Sequence, residues 1–175
     1  MTMCRHRSSY LRSWDGFSTS VMTHEYILVA LLGNYQPGDT FAQWPLHVTL
    51  VPWFDPRDLS EFVAQLQNVA AKYGSIESTV GEQRIWGPNT VNVITRVPQL
   101  QRLHLELLSL VRAHGTLLIN EQYTGSNYTP HITHQKGVSA KKGSGVVLDT
   151  IYLVEKQVHV REKTIKAKII LKGVQ

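Results

Sequence analysis

The sequence predicts an α+β fold built on mostly antiparallel strands. Eight segments have the apolar pattern of strands, and two have the three- and four-residue apolar spacing of helices. The strand patterns come in pairs, and a helix follows each of the first two pairs, which is typical of an α+β chain. A doubly wound nucleotide-binding fold would need regular β-α-β alternation and a glycine-rich phosphate loop, and the sequence has neither.

The strand patterns are of two kinds. The first strand is a continuous apolar run at residues 26–32, which suits a strand that is buried on both faces. Residues 33–45 contain two glycines and two prolines and are predicted to form a loop. The other strands are predicted at residues 47–51, 76–85, 91–95, 116–120, 130–135, 146–155 and 163–171.

Both helices have recognisable ends. The first opens at Asp55-Pro56, because aspartate can cap a helix and proline fits its first turn, and its apolar stripe extends to Tyr73. The second begins at Pro98, and His114-Gly115 marks its end. Each helix has a single apolar face to bury.

Length and composition exclude several classes of protein. The chain has 175 residues, of which 42% are hydrophobic, enough for one domain or at most two small lobes. No run approaches 18 apolar residues, so we expect no transmembrane helix and no membrane partner. The single cysteine, Cys4, excludes an internal disulfide framework and a cysteine-based zinc site. It is typical of a reduced compartment, and we predict a cytoplasmic protein.

The two ends of the chain differ from its middle. Residues 1–21 are rich in arginine and serine and lack apolar periodicity, as in a transit peptide, an expression remnant or an over-extended start. We expect a poorly structured leader there and a single domain over residues 22–175. Residues 136–175 hold nine basic and three acidic side chains, which favours an anionic partner such as a nucleotide or RNA. A solvated strand face with many lysines accounts for this charge equally well.

Two predicted strands carry the same pattern, His47-Val-Thr49 and His131-Ile-Thr133. Side chains alternate along a strand, so the histidine and the threonine of each motif point to one face. Two such pairs facing each other would place two imidazoles and two hydroxyls around one point. That set suits a phosphodiester, because one imidazole can take a proton from water while the other protonates the leaving oxygen. The hydroxyls can donate to the non-bridging phosphate oxygens, and no metal is required.

Context separates these motifs from a chance match. A third His-x-Thr, His114-Gly-Thr116, lies at a predicted helix end, where a histidine interacts with the helix C-terminus. The other two lie in strand patterns, follow a proline and enclose an apolar residue. A zinc site is not indicated, because His131 and His134 have a helical spacing and diverge on a strand. The G-x-S-x-G elbow of serine hydrolases is absent.

The two motifs resemble the signature of the two-histidine (2H) phosphoesterase superfamily, which includes bacterial 2′-5′ RNA ligases and RNA cyclic phosphodiesterases. The resemblance implies a bilobal fold, with two mostly antiparallel sheets around a central cleft and helices on the outside. It also implies metal-independent hydrolysis of 2′,3′-cyclic phosphates or of 2′-5′ or 3′-5′ linkages. The catalytic set it implies is His47, Thr49, His131 and Thr133, with His131 as general base and His47 as general acid. We expect a monomer that needs no cofactor and acts on an RNA end or a nucleotide.

Four further residues are predicted to bind substrate. Trp44 and Tyr128 precede the two motifs at similar distances, so their rings could stack on a base at the cleft mouth. Gln135 shares a face with His131 by alternation, and Lys136 follows it in a loop that could hold a phosphate. The alternatives are that these aromatic rings cap the core and that the lysine belongs to an ordinary charged hairpin.

Two departures from the family pattern bear on the substrate. His134 follows the second motif where relatives have an apolar residue, and alternation turns it to the face opposite His131. Many relatives carry a longer, helix-containing insertion where this chain has the loop at residues 33–45, so the substrate groove is expected to be more open on that side. A binding module that grips a nucleotide or RNA without turnover is the alternative function. A protein in which both motifs are incidental is a third interpretation.

Overall fold

Ten strands and two α-helices make up residues 24–173, the part of the chain that the computed structural model describes. The strands are β1 His24–Leu31, β2 Thr40–Phe41, β3 His47–Pro56, β4 Ile76–Trp86, β5 Asn89–Ile94, β6 Gly115–Leu117, β7 His131–Thr133, β8 Gly145–Leu148, β9 Thr150–Gln157 and β10 Lys163–Ile170, and the helices are α1 Leu59–Ala70 and α2 Pro98–His114. The predicted leader at residues 1–21 lies outside the described residues. No described helix has the length and apolar character needed to cross a bilayer.

The described strands pair antiparallel in the order β2-β10-β9-β1-β3-β7-β5-β4-β8, with β6 on the free part of β3. At the middle of this order, β3 and β7 meet at one residue pair, Val48 and Ile132. This pair joins a first lobe (β2, β10, β9, β1 and β3) to a second lobe (β7, β5, β4 and β8). The predicted α+β, mostly antiparallel fold is confirmed. The two predicted sheets are the two lobes, and the hydrogen-bonded path between them is continuous but only one pair wide.

The main core lies on the face of the sheet that the helices cover. Phe62 and Leu66 of α1 and Leu103 and Leu107 of α2 pack there against both lobes. The opposite face of the first lobe is covered in part by the loop at residues 33–45, whose aromatic side chains pack on alternate residues of β1, β9 and β10. We call this second side, which also carries His47, the cleft face.

Several boundaries differ from the sequence prediction, and three of the differences change how the elements are placed. Asp55 does not cap α1, because β3 continues through it and pairs with β6 at Thr116. The cap is Asp58, whose side chain accepts a hydrogen bond of 2.9 Å from the amide of Glu61. The strand predicted at 146–155 divides at Asp149 into β8 and β9, which belong to different lobes. Within the predicted loop at 33–45, β2 pairs with the start of β10.

Candidate active site

The pair that joins the lobes also brings the two His-x-Thr motifs together. Val48 and Ile132 are the middle residues of the motifs, and both are completely buried on the helix-covered face. Their neighbours therefore point to the cleft face. In an antiparallel pair this register sets His47 opposite Thr133 and Thr49 opposite His131, at a Cβ separation of roughly 5 Å. The two histidines are diagonal neighbours across this pair, a relationship that places residues roughly 7–8 Å apart, with their Cβ atoms somewhat closer.

Each motif histidine is held in the same way. The Nδ1 of His47 lies 2.8 Å from the carbonyl oxygen of Pro45, and the Nδ1 of His131 lies 2.9 Å from that of Thr129. A carbonyl can only accept, so Nδ1 carries the proton and donates in both rings. In the neutral ring this leaves Nε2 with a lone pair, and Nε2 is the atom available to a bound molecule. The two motifs thus share a fixed tautomer as well as a sequence pattern.

Burial lowers the pKa of both imidazoles below the ordinary value of 6.5. The carbonyls of Pro45 and Thr129 oppose the shift, because a donated Nδ1–H favours the charged ring. The pKa of His47 is lowered further by the charge of His131. Since each ring discourages protonation of the other, a state with a single proton on the pair is favoured over one with two. One acid and one base side by side are what an acid–base reaction needs.

A tryptophan packs on each of these imidazoles. The rings of Trp44 and His47 have centroids 4.4 Å apart and are tilted by 33°. The rings of Trp86 and His131 have centroids 4.7 Å apart and meet edge to face. Both tryptophans are half-buried, so each covers one side of an imidazole and keeps an exposed edge toward solvent. The structure places Trp44 against the first motif histidine, and the stacking of its ring on a substrate base stays a prediction.

A family model described as the 2′-5′ RNA ligase superfamily matches residues 31–160, which include both motifs. This chain belongs to the 2′-5′ RNA ligase superfamily. The resemblance to 2H phosphoesterases drawn from the two motifs is thereby confirmed. No curated protein sequence gives a significant match.

Solved structures share this superfamily's fold at low sequence identity. TT0787 of Thermus thermophilus is 15% identical with a TM-score of 0.59, and the match covers 86% of this chain and 100% of that one. LigT of E. coli in complex with 3′-AMP is 17% identical with a TM-score of 0.56, covering 86% and 99%. A structure described as a phosphoesterase is 16% identical with a TM-score of 0.57, covering 85% and 98%.

The structure of this superfamily member corrects the prediction for Tyr128. Its side chain is only 6% exposed and lies on the helix-covered face, so it cannot stack on a base at the cleft mouth. Its ring stacks on His104 with centroids 3.8 Å apart, and its hydroxyl donates to the main-chain carbonyl of Thr49 at 2.9 Å. Strand alternation does not decide this, because Tyr128 precedes the start of β7 at His131, and Trp44, at the same distance before His47, packs on the cleft face. The aromatic neighbour of the second motif is Trp86.

His104 was not predicted from the sequence, yet it supports both motifs. It is completely buried in α2, with Nδ1 2.7 Å from the carbonyl of Leu50, to which it donates. Its Nε2 accepts a hydrogen bond of 2.8 Å from the amide of Gly125, which precedes the second motif. Burial lowers the pKa of His104 and favours this neutral tautomer. The signal for it was a histidine four residues after Leu100 within the apolar stripe of α2.

The residues after the second motif form a turn. Gln135 bridges to Val138, and its side-chain amide donates to the carbonyl of Thr133 at 3.3 Å. The carbonyl of Lys136 accepts a hydrogen bond of 3.2 Å from Gln43, so the loop of the first lobe reaches the turn of the second. Substrate contacts by Gln135 and by the exposed side chain of Lys136 stay predictions.

His134 lies on the face opposite the motif histidines, as alternation predicts. Its Nε2 is 2.5 Å from the side-chain oxygen of the buried Asn92. Across residues 24–173, His, Cys, Asp and Glu side chains nowhere gather in a group of three or more that could hold a metal ion.

Proposed function

We propose that this protein is a metal-independent phosphodiesterase that hydrolyses 2′,3′-cyclic phosphates, or 2′-5′ or 3′-5′ linkages, of RNA ends or small nucleotides. The observation that carries the proposal is the pairing of Val48 with Ile132, which sets two equivalently held imidazoles and two hydroxyls on one face. Membership of the 2′-5′ RNA ligase superfamily supports the same class of chemistry. We further propose that the protein acts as a monomer in the cytoplasm.

The proposed reaction on a 2′,3′-cyclic phosphate is a single displacement at phosphorus. Nε2 of His131 removes a proton from a water molecule, and the water oxygen bonds to phosphorus. The bond from phosphorus to one ribose oxygen breaks, and that oxygen takes the proton of Nε2 of His47. The product is a phosphomonoester with a free neighbouring hydroxyl. Proton exchange with solvent then restores a neutral His131 and a protonated His47.

The threonine hydroxyls and the main-chain acceptors have separate roles. Thr49 and Thr133 donate to the non-bridging phosphate oxygens, where negative charge grows in the transition state. The carbonyls of Pro45 and Thr129 keep Nδ1 protonated, so that Nε2 is always the reacting atom. Acid–base catalysis of this kind contributes about 10²- to 10⁴-fold for each group.

Two observations support a nucleotide as the substrate. LigT of E. coli, which shares the fold, has been solved in complex with 3′-AMP. The C-terminal part of this chain, residues 136–175, carries an excess of basic side chains, which favours an anionic ligand. The half-buried rings of Trp44 and Trp86 offer flat surfaces beside the imidazoles for the base or the ribose.

A substrate panel tests the proposal. The protein is assayed on 2′,3′-cyclic nucleotides and on 2′-5′ and 3′-5′ dinucleotides, with and without EDTA, and the products are scored as 2′- or 3′-phosphates. We expect turnover that EDTA does not change, and its loss by at least about 100-fold in His47→Ala and in His131→Ala. His159→Asn is the control, because His159 is exposed in the β9–β10 turn at positive φ, which asparagine tolerates.

Two results would overturn the proposal. Binding of nucleotides without hydrolysis of any panel member would identify a binding module. Loss of activity on chelation would contradict a metal-free mechanism.

A further inference from the structure

A pocket on the second lobe is lined by residues next to His131, its strand partner Val93 and the nearby Thr129. Its cavity of about 400 Å³ lies on the second lobe, and its lining includes Arg84, Val93, Thr95, Arg96 and Thr129, which we call the arginine pocket. Val93 is the strand partner of His131, so the pocket begins on the strand next to that histidine, and neighbouring strands lie about 4.8 Å apart.

Arg96 is fixed at the edge of this pocket next to the histidine. Its Nη2 donates to the carbonyl of Tyr128 at 2.7 Å and to the hydroxyl of Thr129 at 3.2 Å. The carbonyl of the same Thr129 accepts the Nδ1–H of His131. Because a guanidinium has five N–H donors, Arg96 keeps donors for a ligand while it is anchored.

Arg84 is the second cation, and its side chain is exposed. Within residues 24–173 it makes no side-chain hydrogen bond and no ion pair. The lining also includes one carboxylate, Glu82, but its Oε1 is 2.5 Å from the Nζ of Lys142. The positive charge of the two arginines is therefore not neutralised inside the pocket, and the site suits an anion.

The equivalent place in the first lobe is built differently. In the second lobe, the strand partner of Thr133 is Val91, and the partner of Val91 on the next strand is Arg84. In the first lobe, the same two steps lead from Thr49 to Val29 and then to Tyr152, so Tyr152 is the equivalent of Arg84. The cavity of about 580 Å³ there is lined mostly by uncharged residues and includes one carboxylate, Asp149. Its one cation, Lys168, already donates to Asn34 at 2.7 Å. The two cavities beside the proposed reaction centre thus differ in charge, although the two histidines are anchored in the same way.

We propose that the arginine pocket binds a second phosphate, one nucleotide away from the reacting phosphate, so that the preferred substrate is a nucleic acid end and not a cyclic mononucleotide. This inference rests on the proposed function. Guanidinium groups bind phosphate through parallel N–H···O bonds, and two arginines line this pocket. The second phosphate is either an internucleotide phosphodiester or a terminal 5′-phosphate, and the experiment distinguishes the two.

The test compares three substrates that end in the same adenosine 2′,3′-cyclic phosphate: the mononucleotide, its 5′-phosphorylated form and the dinucleotide. We expect kcat/KM to be higher for one or both substrates with a second phosphate. In Arg84→Gln this preference over the mononucleotide falls by about tenfold, chiefly through KM. A preference for the dinucleotide alone identifies the phosphodiester, and a preference for both shows that a terminal phosphate suffices. Arg102→Gln, an exposed arginine of α2 outside the pocket, is the matched control.

A direct binding measurement separates this proposal from the catalytic one. The dissociation constant of a fluorescent dinucleotide ending in a 2′-phosphate is measured for the wild type and both variants. If no substrate is hydrolysed but Arg84→Gln weakens this binding about tenfold, the phosphodiesterase proposal fails and the pocket stands. If the wild type hydrolyses all three substrates equally, or Arg84→Gln behaves as Arg102→Gln, the pocket proposal is wrong and the catalytic one is unaffected.

Discussion

The hydroxyl of Tyr128 donates a hydrogen bond of 2.9 Å to the main-chain carbonyl of Thr49, so the segment before the second motif holds the backbone of the first. The bond crosses between the lobes beside the single residue pair that joins them. The ring of Tyr128 stacks on that of His104. His104 in turn donates a hydrogen bond to the main-chain carbonyl of Leu50, the residue after Thr49 in β3. These contacts lie on the helix-covered face, and they fix the spacing of the two imidazoles on the opposite, cleft face.

Removing this hydroxyl tests its role. Tyr128→Phe leaves the buried carbonyl of Thr49 without its donor, which costs about 1–3 kcal/mol of the free energy of unfolding. We expect a lower denaturation midpoint and a fall in kcat that exceeds any rise in KM, because the imidazole spacing loosens while the cleft surface is unchanged. Tyr123→Phe, at a tyrosine that is 65% exposed, is the control. A fall in stability with unchanged kcat would limit Tyr128 to a structural role.

The hydroxyls of the motifs give a second prediction. Thr49→Val and Thr133→Val keep the shape of the side chain and remove its donor, so each should lower kcat by about 10²-fold or more. Thr116→Val is a matched control, because Thr116 belongs to the third His-x-Thr of the sequence and lies in β6. Equal activity in all three variants would show that the motif hydroxyls do not touch the phosphate.

The pH dependence of the reaction follows from the imidazoles. Burial lowers the pKa of both His47 and His131, so the singly protonated pair is most populated below pH 6.5. We expect a bell-shaped profile of kcat/KM with its maximum on the acidic side of 6.5. The profile of kcat should lie at higher pH, because bound phosphate stabilises the protonated ring. A value of kcat/KM that stays constant from about pH 6 to 8 would contradict the acid–base roles.

His104 makes the stability of the fold depend on pH. Burial lowers its pKa in the folded protein, so the unfolded chain takes up the proton first as the pH falls. Its contribution is complete above the unfolded value of 6.5 and is lost as the pH drops through the lowered value of the folded state. We expect the urea midpoint to decrease between about pH 7 and 5, and to decrease less in His104→Gln. His47 and His131 add to the slope with the same sign.

The control for the stability measurement is His159→Asn, which should keep the full slope of the wild type. A slope in His104→Gln equal to that of the wild type would assign the pH dependence to other groups.

The apolar spacing of the sequence predicted both helices and the faces of the two motif strands, because these features depend on neighbouring residues alone. The two-residue period of a strand was enough to place His47 with Thr49 and His131 with Thr133, and to turn His134 away. The partner of Val48 is 84 residues distant in the sequence, and no local pattern reports that pairing. The same limit explains why Trp86, which reaches His131 from the β4–β5 turn, was not chosen over Tyr128.

The matched hydrogen bonds at Pro45 and Thr129 have a chemical consequence. Because the tautomer and the anchor are the same in both rings, they do not by themselves make His131 the base and His47 the acid, the roles given to them in the proposed reaction. The regiochemistry of cleavage must then depend on how the ligand is seated, and the unequal cavities on the two sides are one asymmetry at this centre that could orient it. Substitutions in the lining of the two cavities, with both histidines retained, would then change the product from the 2′-phosphate to the 3′-phosphate or the reverse.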